Sequence, residues 1–416
     1  MLKISILTIG DEILIGQITN RNAAWLSEKC TRLGCNVLHH ATIGDERDAM
    51  VGELDRLSDI SDIILITGGL GPTHDDITKP VLNEYFDDEY TENQDVLDYL
   101  HKFFERRDEK LSDRNKKLAQ VPSKCKVLLN KVGTAPGMKF GKNGKYYISM
   151  PGVPTEMKQI MNDYVLPFIK ERLMETKENV VLYKILQTAG IVESKLADLI
   201  GDVDEFIEDG TFAFLPSYKG VRMRIGIHGD DLEKAKDRLD KIEKTVYEKA
   251  GEYIYGENDD SLEAAVGRLL KEKGKKVAVA ESCTAGMLGA AFTDEAGSSD
   301  YFEGGAIVYS NEAKQNILGV REDTLIAHGA VSEETAMELA ANVRDRFSTD
   351  YGIGITGIAG PGGGTRDKPV GTVWIGIADE NGSSATRHVF GDDRAMNRER
   401  SVGVALTKIY KKLKEL

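Results

Sequence analysis

The sequence predicts an α/β protein built from three consecutive pieces: a three-layer N-terminal domain, a small α+β module and a second α/β domain. Three observations carry that reading. Residues 1–168 alternate short apolar runs with amphipathic stretches, residues 169–256 change to the order strand, helix, two strands, helix, and residues 257–416 return to alternation with glycine-rich strand ends. Alternation of this kind implies a parallel sheet covered by helices. Ligands of such sheets bind beyond the carboxyl ends of the strands.

Taken in order, KISILTIG opens as a strand, NAAWLSEKCTRLG follows as a helix, NVLHHATIG is the second strand, RDAMVGELDRLS the second helix, and DIILITGG the third strand. Three polar turns fall at predicted strand ends: GDEILIG (10–16), IGDE (43–46) and TGGLGPTHDD (67–76). The last places three glycines within four residues, followed by proline, so its backbone can approach a ligand closely. Tight turns need glycine as well. Combined with Asp11, Glu12 and Asp45 at the other strand ends, its Asp75 and Asp76 suggest a phosphate site with a divalent cation, since carboxylates alone would repel the ligand.

The middle piece reads as a strand (VVLYKILQTA), a helix (VESKLADLI), two strands in FAFLPSYKGVRMRIGIHG turning at Lys219–Gly220, and the charged helix DLEKAKDRLDKIEKTVYEKAG. YGENDDS (255–261), acidic and glycine-containing, reads as a linker. Beyond it SLEAAVGRLLKEKG is a helix, KKVAVAE a buried strand, TAGMLGAAFT the start of a helix, and YGIGITG and GTVWIGIAD further strands.

Three segments of this last piece concentrate chemistry: VAVAESCTAG (277–286), AIVYSNEAK (306–314) and ITGIAGPGGG (355–364). They offer a hydroxyl, a lysine, a tyrosine and a glycine-rich loop, the parts of a serine amidohydrolase that needs neither histidine nor metal. Ser282 by itself suits a helix cap equally well, because a helix N-terminus attracts capping serines and also supplies free N–H groups for an oxyanion. Lys314 serves as a base only if its surroundings lower its pKa. Tyr309 is either an assisting hydroxyl or a core residue with a wet tip. Cys283 is a rival nucleophile, but a thiol needs an activating histidine or cation, and His328, the nearest histidine in sequence, belongs to no Cys/His signature. GDDRAMNRERSVGVAL supplies Arg394, Arg398 and Arg400, either a phosphate clamp or a solvated helix face.

A hydrophobic fraction of 41% with 10 prolines in 416 residues is globular composition. The net charge of −14 disfavours a protein that coats nucleic acid, which relies on lysine and arginine to neutralise phosphates. With no signal-peptide pattern and no apolar run of membrane-spanning length, a cytoplasmic protein without a membrane partner is expected. The four cysteines form no CxxC pair, so they are expected to be reduced and structural.

The three C-terminal segments resemble the CinA family (competence/damage-inducible protein A), and the N-terminal turns resemble the molybdopterin-binding fold that opens members of that family. The resemblance spans essentially the whole chain. It implies a molybdopterin-binding-like domain over 1–168, a KH-type module over 169–256 and a deamidase domain over 257–416. For the last it implies hydrolysis of nicotinamide mononucleotide to nicotinic acid mononucleotide and ammonia without a cofactor: Ser282 as nucleophile, Lys314 as base, Tyr309 assisting, and Thr356 near the oxyanion or substrate, with Thr284, Gly286, Gly357, Gly360, Arg394 and Arg398 around the substrate. For the first it implies an ADP-ribose pyrophosphatase using a divalent cation, magnesium, on Asp11, Asp45, Asp75 and Asp76. Its nucleotide would lie along Gly10, Thr67, Gly68, Gly69, Gly71 and Thr73, and along the loops NKVGTAPG and MPGVPTEM with Thr134, Pro136, Gly137, Pro151 and Gly152. The implied partners are these small nucleotides and a second copy of the chain, a homodimer. Three departures stand out: Ala285 where many members carry glycine, Arg21 where threonine is usual, and TAGIVES where an RNA-binding KH module would carry GxxG. The middle piece is therefore expected to be a spacer or dimerisation element. The other reading of the chain is a pterin- or nucleotide-binding regulatory protein, competence-related, without turnover.

Overall fold

A computed structural model describes residues 1–176, 180–217 and 220–414. The chain folds into two compact units, 1–183 with 226–239 and 184–225 with 240–416.

The N-terminal sheet has the order β2-β1-β3-β8-β7-β6. Its strands are β1 (Lys3–Ile9), β2 (Asn36–Ile43), β3 (Ile63–Thr67), β6 (Lys126–Leu128), β7 (Gly137–Lys142) and β8 (Lys145–Met150), while β4 (Tyr90–Glu92) and β5 (Gln120–Pro122) form a separate ribbon. Strands β2, β1, β3 and β8 run parallel, as the alternation predicts, but β7 is antiparallel to both of its neighbours, β8 and β6. The reversal comes from a tight hairpin at Asn143–Gly144, where both residues have positive φ (52° and 76°), the dipeptide favoured for such turns. Successive residues of β1 and β3 point to opposite faces. Ile4, Ile6, Ile63 and Leu65 pack with Leu26, Met157 and Ile160 on one side. Leu7, Ile9, Ile64 and Ile66 pack with Met50, Leu54, Val81 and Leu100 on the other. Three layers result.

In the middle piece β9 (Val180–Thr188), β10 (Thr211–Ser217), β11 (Gly220–Gly229) and β12 (Ile254–Glu257) form a sheet of order β10-β11-β9-β12. Lys219, in the expected turn, lies outside the described residues. The expected linker is corrected here: Ile254–Glu257 is a strand antiparallel to β9. Asn258 continues the attachment. Its N–H donates to the Ile185 carbonyl (2.7 Å), its side chain accepts from Ile185 N–H (3.3 Å), and its carbonyl accepts from the Gln187 side chain (2.6 Å). An acidic, glycine-containing composition does not prevent pairing when a free strand edge stands alongside.

The C-terminal sheet has the order β14-β13-β15-β16-β17, made of β13 (Val277–Glu281), β14 (Phe302–Ile307), β15 (Tyr351–Gly357), β16 (Thr372–Asp379) and β17 (Gly382–Val389). β14, β13 and β15 are parallel; β16 and β17 return antiparallel. Val277 and Val279 join a core with the helices Leu262–Glu272, Met287–Thr293 and Arg394–Lys414, while Ala278 and Ala280 face the helices Asn311–Leu318 and Glu333–Phe347. The glycines of YGIGITG have a packing reason: a Cβ on Gly354 would stand 2.6 Å from the Ala336 carbonyl, so only glycine lets the helix Glu333–Phe347 lie this close to β15. No helix among the described residues is long and apolar enough to cross a membrane.

Candidate functional site

The carboxyl ends of β13, β14 and β15 converge on Ser282. β13 delivers Ser282 directly, and its N–H donates to the Ile355 carbonyl of β15 (3.0 Å). From β14 the chain passes through Val308 and Tyr309 to Ser310, whose hydroxyl caps the helix Asn311–Leu318 by accepting from Ala313 N–H (3.0 Å). One turn into that helix Lys314 points inward, 1% exposed, with Nζ 3.2 Å from Ser282 Oγ. Nζ also donates to the carbonyls of Val308 (2.9 Å) and Tyr309 (3.0 Å). Burial pushes its pKa below the ordinary lysine value. Ser282 and Lys314, 32 positions apart in the chain, thus meet in a buried contact.

The helix after Ser282 begins at Met287, later than the sequence suggests, and Ser282 does not cap it. Glu281 does: its buried carboxylate accepts from Gly286 N–H (3.0 Å), Leu288 N–H (3.0 Å) and Gly289 N–H (2.8 Å). These amides are occupied, which corrects the expectation that the helix N-terminus stands open for an oxyanion. Between Ser282 and the helix start at Met287 the chain turns through left-handed conformations at Ala285 (φ 49°) and Gly286 (φ 95°). Cys283 is buried in the same turn, and burial raises its thiol to about 11. It is a weak rival at neutral pH.

The remaining C-terminal residues surround this pair. Thr356 is buried, its hydroxyl donating to the Ala330 carbonyl (2.6 Å). Tyr309 is 61% exposed, and its hydroxyl accepts a long hydrogen bond from Arg394 Nη2 (3.5 Å). Arg394 Nη1 donates to the Gly360 carbonyl (2.7 Å), and Arg398 Nη2 to the Thr284 carbonyl (2.9 Å), so both arginines brace the loops beside Ser282. Thr284 is fully buried, and among the described residues its hydroxyl has no hydrogen-bond partner. A Cβ on Gly357 would collide with β16 at Thr372 and Val373, which gives this glycine a packing reason. Asn397, absent from the residues that the sequence points to, binds the carbonyls of Ala359 (3.0 Å) and Gly391 (2.7 Å) from the same helix. Its position one before Arg398, in a helix whose arginines draw the attention, is the available signal.

In the N-terminal sheet a cavity of about 600 Å³ opens at the strand ends. Gly10, Thr67, Gly68, Gly69, Gly71, Thr134, Pro151, Gly152, Asp45, Asp75 and Asp76 line it. A Cβ on Gly68 would strike the Ile9 carbonyl, and one on Gly69 the Thr78 hydroxyl. Thr73, Pro136, Gly137 and Asp11 do not line it: Gly137 starts β7, where a Cβ would stand 2.8 Å from the Ser149 carbonyl of β8. Asn20 and Asn22, inside the ITNRNA segment noted for Arg21, organise one wall, Asn20 reaching the Thr8 hydroxyl (2.9 Å) and Asn22 the Gly152 carbonyl (2.7 Å). Asn130 and Glu156, 2.6 Å apart, hold another.

The four aspartates do not assemble into a metal cage. Asp76 spends its carboxylate on its own loop, accepting from Gly71 N–H (2.7 Å), Thr73 N–H (2.9 Å) and the Thr73 hydroxyl (2.5 Å). Asp11 and Asp45 each accept from the other's backbone N–H (3.4 and 3.2 Å). Among the described residues no three histidine, cysteine, aspartate or glutamate side chains converge on a common point. Burial, with the charges of Asp11, Glu12 and Asp75 around it, raises the pKa of Asp45.

Three family models match the chain: "Probable molybdopterin binding domain" over residues 5–171, "Damage-inducible protein CinA KH domain" over 183–256, and "CinA C-terminal domain" over 259–413. A CinA-like protein of Salinibacter ruber is 41% identical over 97% of this chain and 98% of its own length. A CinA-like protein of Cytophaga hutchinsonii is 40% identical over 99% and 98%. Among solved structures, CinA from Thermoplasma acidophilum is 31% identical, covering 40% of this chain and 97% of its own, with a TM-score of 0.37.

Proposed function

Given that the chain belongs to the CinA family, we propose that its C-terminal domain is a serine/lysine amidohydrolase acting on nicotinamide mononucleotide, and that its N-terminal cavity binds and hydrolyses ADP-ribose. The observation that carries the first part is the buried contact of Lys314 Nζ with Ser282 Oγ. A neutral amine has two hydrogens and one lone pair. With the hydrogens given to the carbonyls of Val308 and Tyr309, the lone pair is left for the Ser282 hydroxyl proton.

In this reading Ser282 Oγ attacks the carboxamide carbon as Lys314 takes its proton. The resulting ammonium returns that proton to the departing nitrogen, the C–N bond breaks, and ammonia leaves an acyl ester on Ser282. Water then attacks the ester with Lys314 again as base, releasing nicotinic acid mononucleotide and restoring the serine. The exposed Tyr309 hydroxyl is assigned to assist the leaving group, and Arg394, hydrogen-bonded to it, to bind the substrate's phosphate.

For the N-terminal domain the support is a cavity of nucleotide size with a glycine-lined floor. A divalent cation there would have to arrive with the substrate's phosphates, because the aspartates alone do not enclose one.

Ammonia release from nicotinamide mononucleotide, followed in the intact protein and in Ser282→Ala with and without chelator, tests the amidase. Release that a chelator spares and the substitution abolishes is expected. No release from the intact protein would overturn the reading in favour of a binding function, pterin or nucleotide, without turnover. Product formation from ADP-ribose, with and without chelator, tests the N-terminal half in the same way.

A further inference from the structure

On the C-terminal sheet, away from Ser282, a second cavity of about 370 Å³ lies between the β16–β17 hairpin and the last turns of the helix Arg394–Lys414. Three ammonium groups, Lys408, Lys411 and Lys412, share it with Asp379 and the exposed hydroxyls of Ser383 and Ser384. In a chain of net charge −14 this is a concentrated positive spot.

Helix energetics explain part of it. Lysines in the last turn of a helix are favoured by the helix dipole, and Lys411 and Lys412 occupy that turn. Lys412 is paired with Asp379 at 2.8 Å, and Lys411 reaches the Gly190 carbonyl at 3.5 Å. Lys408 is different. It lies a turn further back and is half-buried, and among the described residues its ammonium has no carboxylate or hydrogen-bond acceptor. Burial and the neighbouring Lys411 both make its charge harder to keep. Among the described residues lining the cavity Asp379 is the single carboxylate beside three lysines, so an anionic group of two charges would complete the site.

We propose that this cavity is an anion site for a phosphate group, held by Lys408 and Lys411 with the Ser383 and Ser384 hydroxyls as neutral donors. A phosphate accepts charge-assisted hydrogen bonds from ammonium groups, and hydroxyls on an exposed hairpin complete its remaining oxygens. The site shares no residue with the Ser282 centre, so it stands or falls apart from the amidase reading.

Lysine acylation of the full chain, read by mass spectrometry residue by residue, tests it without interference from other phosphate-binding regions. One arm adds inorganic phosphate alone and the other adenosine 5′-monophosphate. Protection of Lys408 in both arms is expected and makes the phosphate group the determinant. Protection by the nucleotide alone also supports the site and adds a nucleoside to its ligand. Unchanged labelling of Lys408 in both arms overturns it. In the Lys408→Met variant the phosphate concentration that half-protects Lys411 should rise about tenfold or more, the scale of a lost charged hydrogen bond. An unshifted value would assign the protection to surface charge and overturn the site.

Discussion

Lys314 is the residue on which the proposed chemistry turns, because its partners define which protonation state would work. As an ammonium it donates to Val308, Tyr309 and Ser282 at once; as an amine it keeps the two carbonyls and accepts from the serine. Only the second form is a base. Since burial lowers its pKa, kcat/KM for ammonia release should climb with pH as Lys314 loses its proton, with a midpoint below the ordinary lysine value of 10.5. A rate that falls over the same interval would contradict the assignment. Lys314→Met should cut kcat by about 10²–10⁴-fold, the usual worth of a positioned base, while circular dichroism stays native. Ala285 is the second informative residue. Its φ of 49° is a conformation that costs a residue with a Cβ about 1–2 kcal/mol, from which glycine is exempt. Ala285→Gly should therefore raise stability in urea by about 0.5–1 kcal/mol, after the extra chain entropy of glycine is subtracted.

At the scale of elements, the strand ends were legible and the helix start was not. VAVAE and YGIGITG read as strands because small and apolar residues suit positions covered on both faces, while GGAIVY lies at the sheet edge, where partly buried and exposed residues alternate along β14. The start at Met287 depends on Glu281, a charged residue inside an apolar run, whose carboxylate turns inward to hold three amides. Sequence alone shows the glutamate but not the direction of its side chain. Glu281→Gln replaces one accepting oxygen with a donor facing other donors, and should cost about 1–3 kcal/mol in urea unfolding. A variant of unchanged stability would mean that solvent can take over the cap. The hairpin at Asn143–Gly144 carried its own signal, the dipeptide, whereas β12 did not: its partner β9 lies about 70 residues away and nothing in YGENDDS marks the pairing. The four aspartates illustrate the same boundary. Sequence places them at strand ends, and only the loop geometry discloses that Asp76 serves its own backbone.

For the whole molecule, the two proposed chemistries sit on separate sheets and share no residue. Ser282→Ala should leave ADP-ribose turnover unchanged, and Asp45→Asn should leave ammonia release unchanged; loss of both activities in either variant would require a linkage that the separate residue sets do not supply. Three of the four cysteines, Cys30, Cys35 and Cys283, are buried, and burial raises the thiols of all four. Peroxide attacks thiolates. An amidase whose nucleophile is a thiol loses its reacting atom to that attack, whereas in the proposed mechanism the reacting atom is a hydroxyl and the Cys283 sulfur next to it is buried, with its pKa raised. Ammonia release should accordingly survive hydrogen peroxide doses that silence thiol hydrolases, which would let this chain keep working through an oxidative burst.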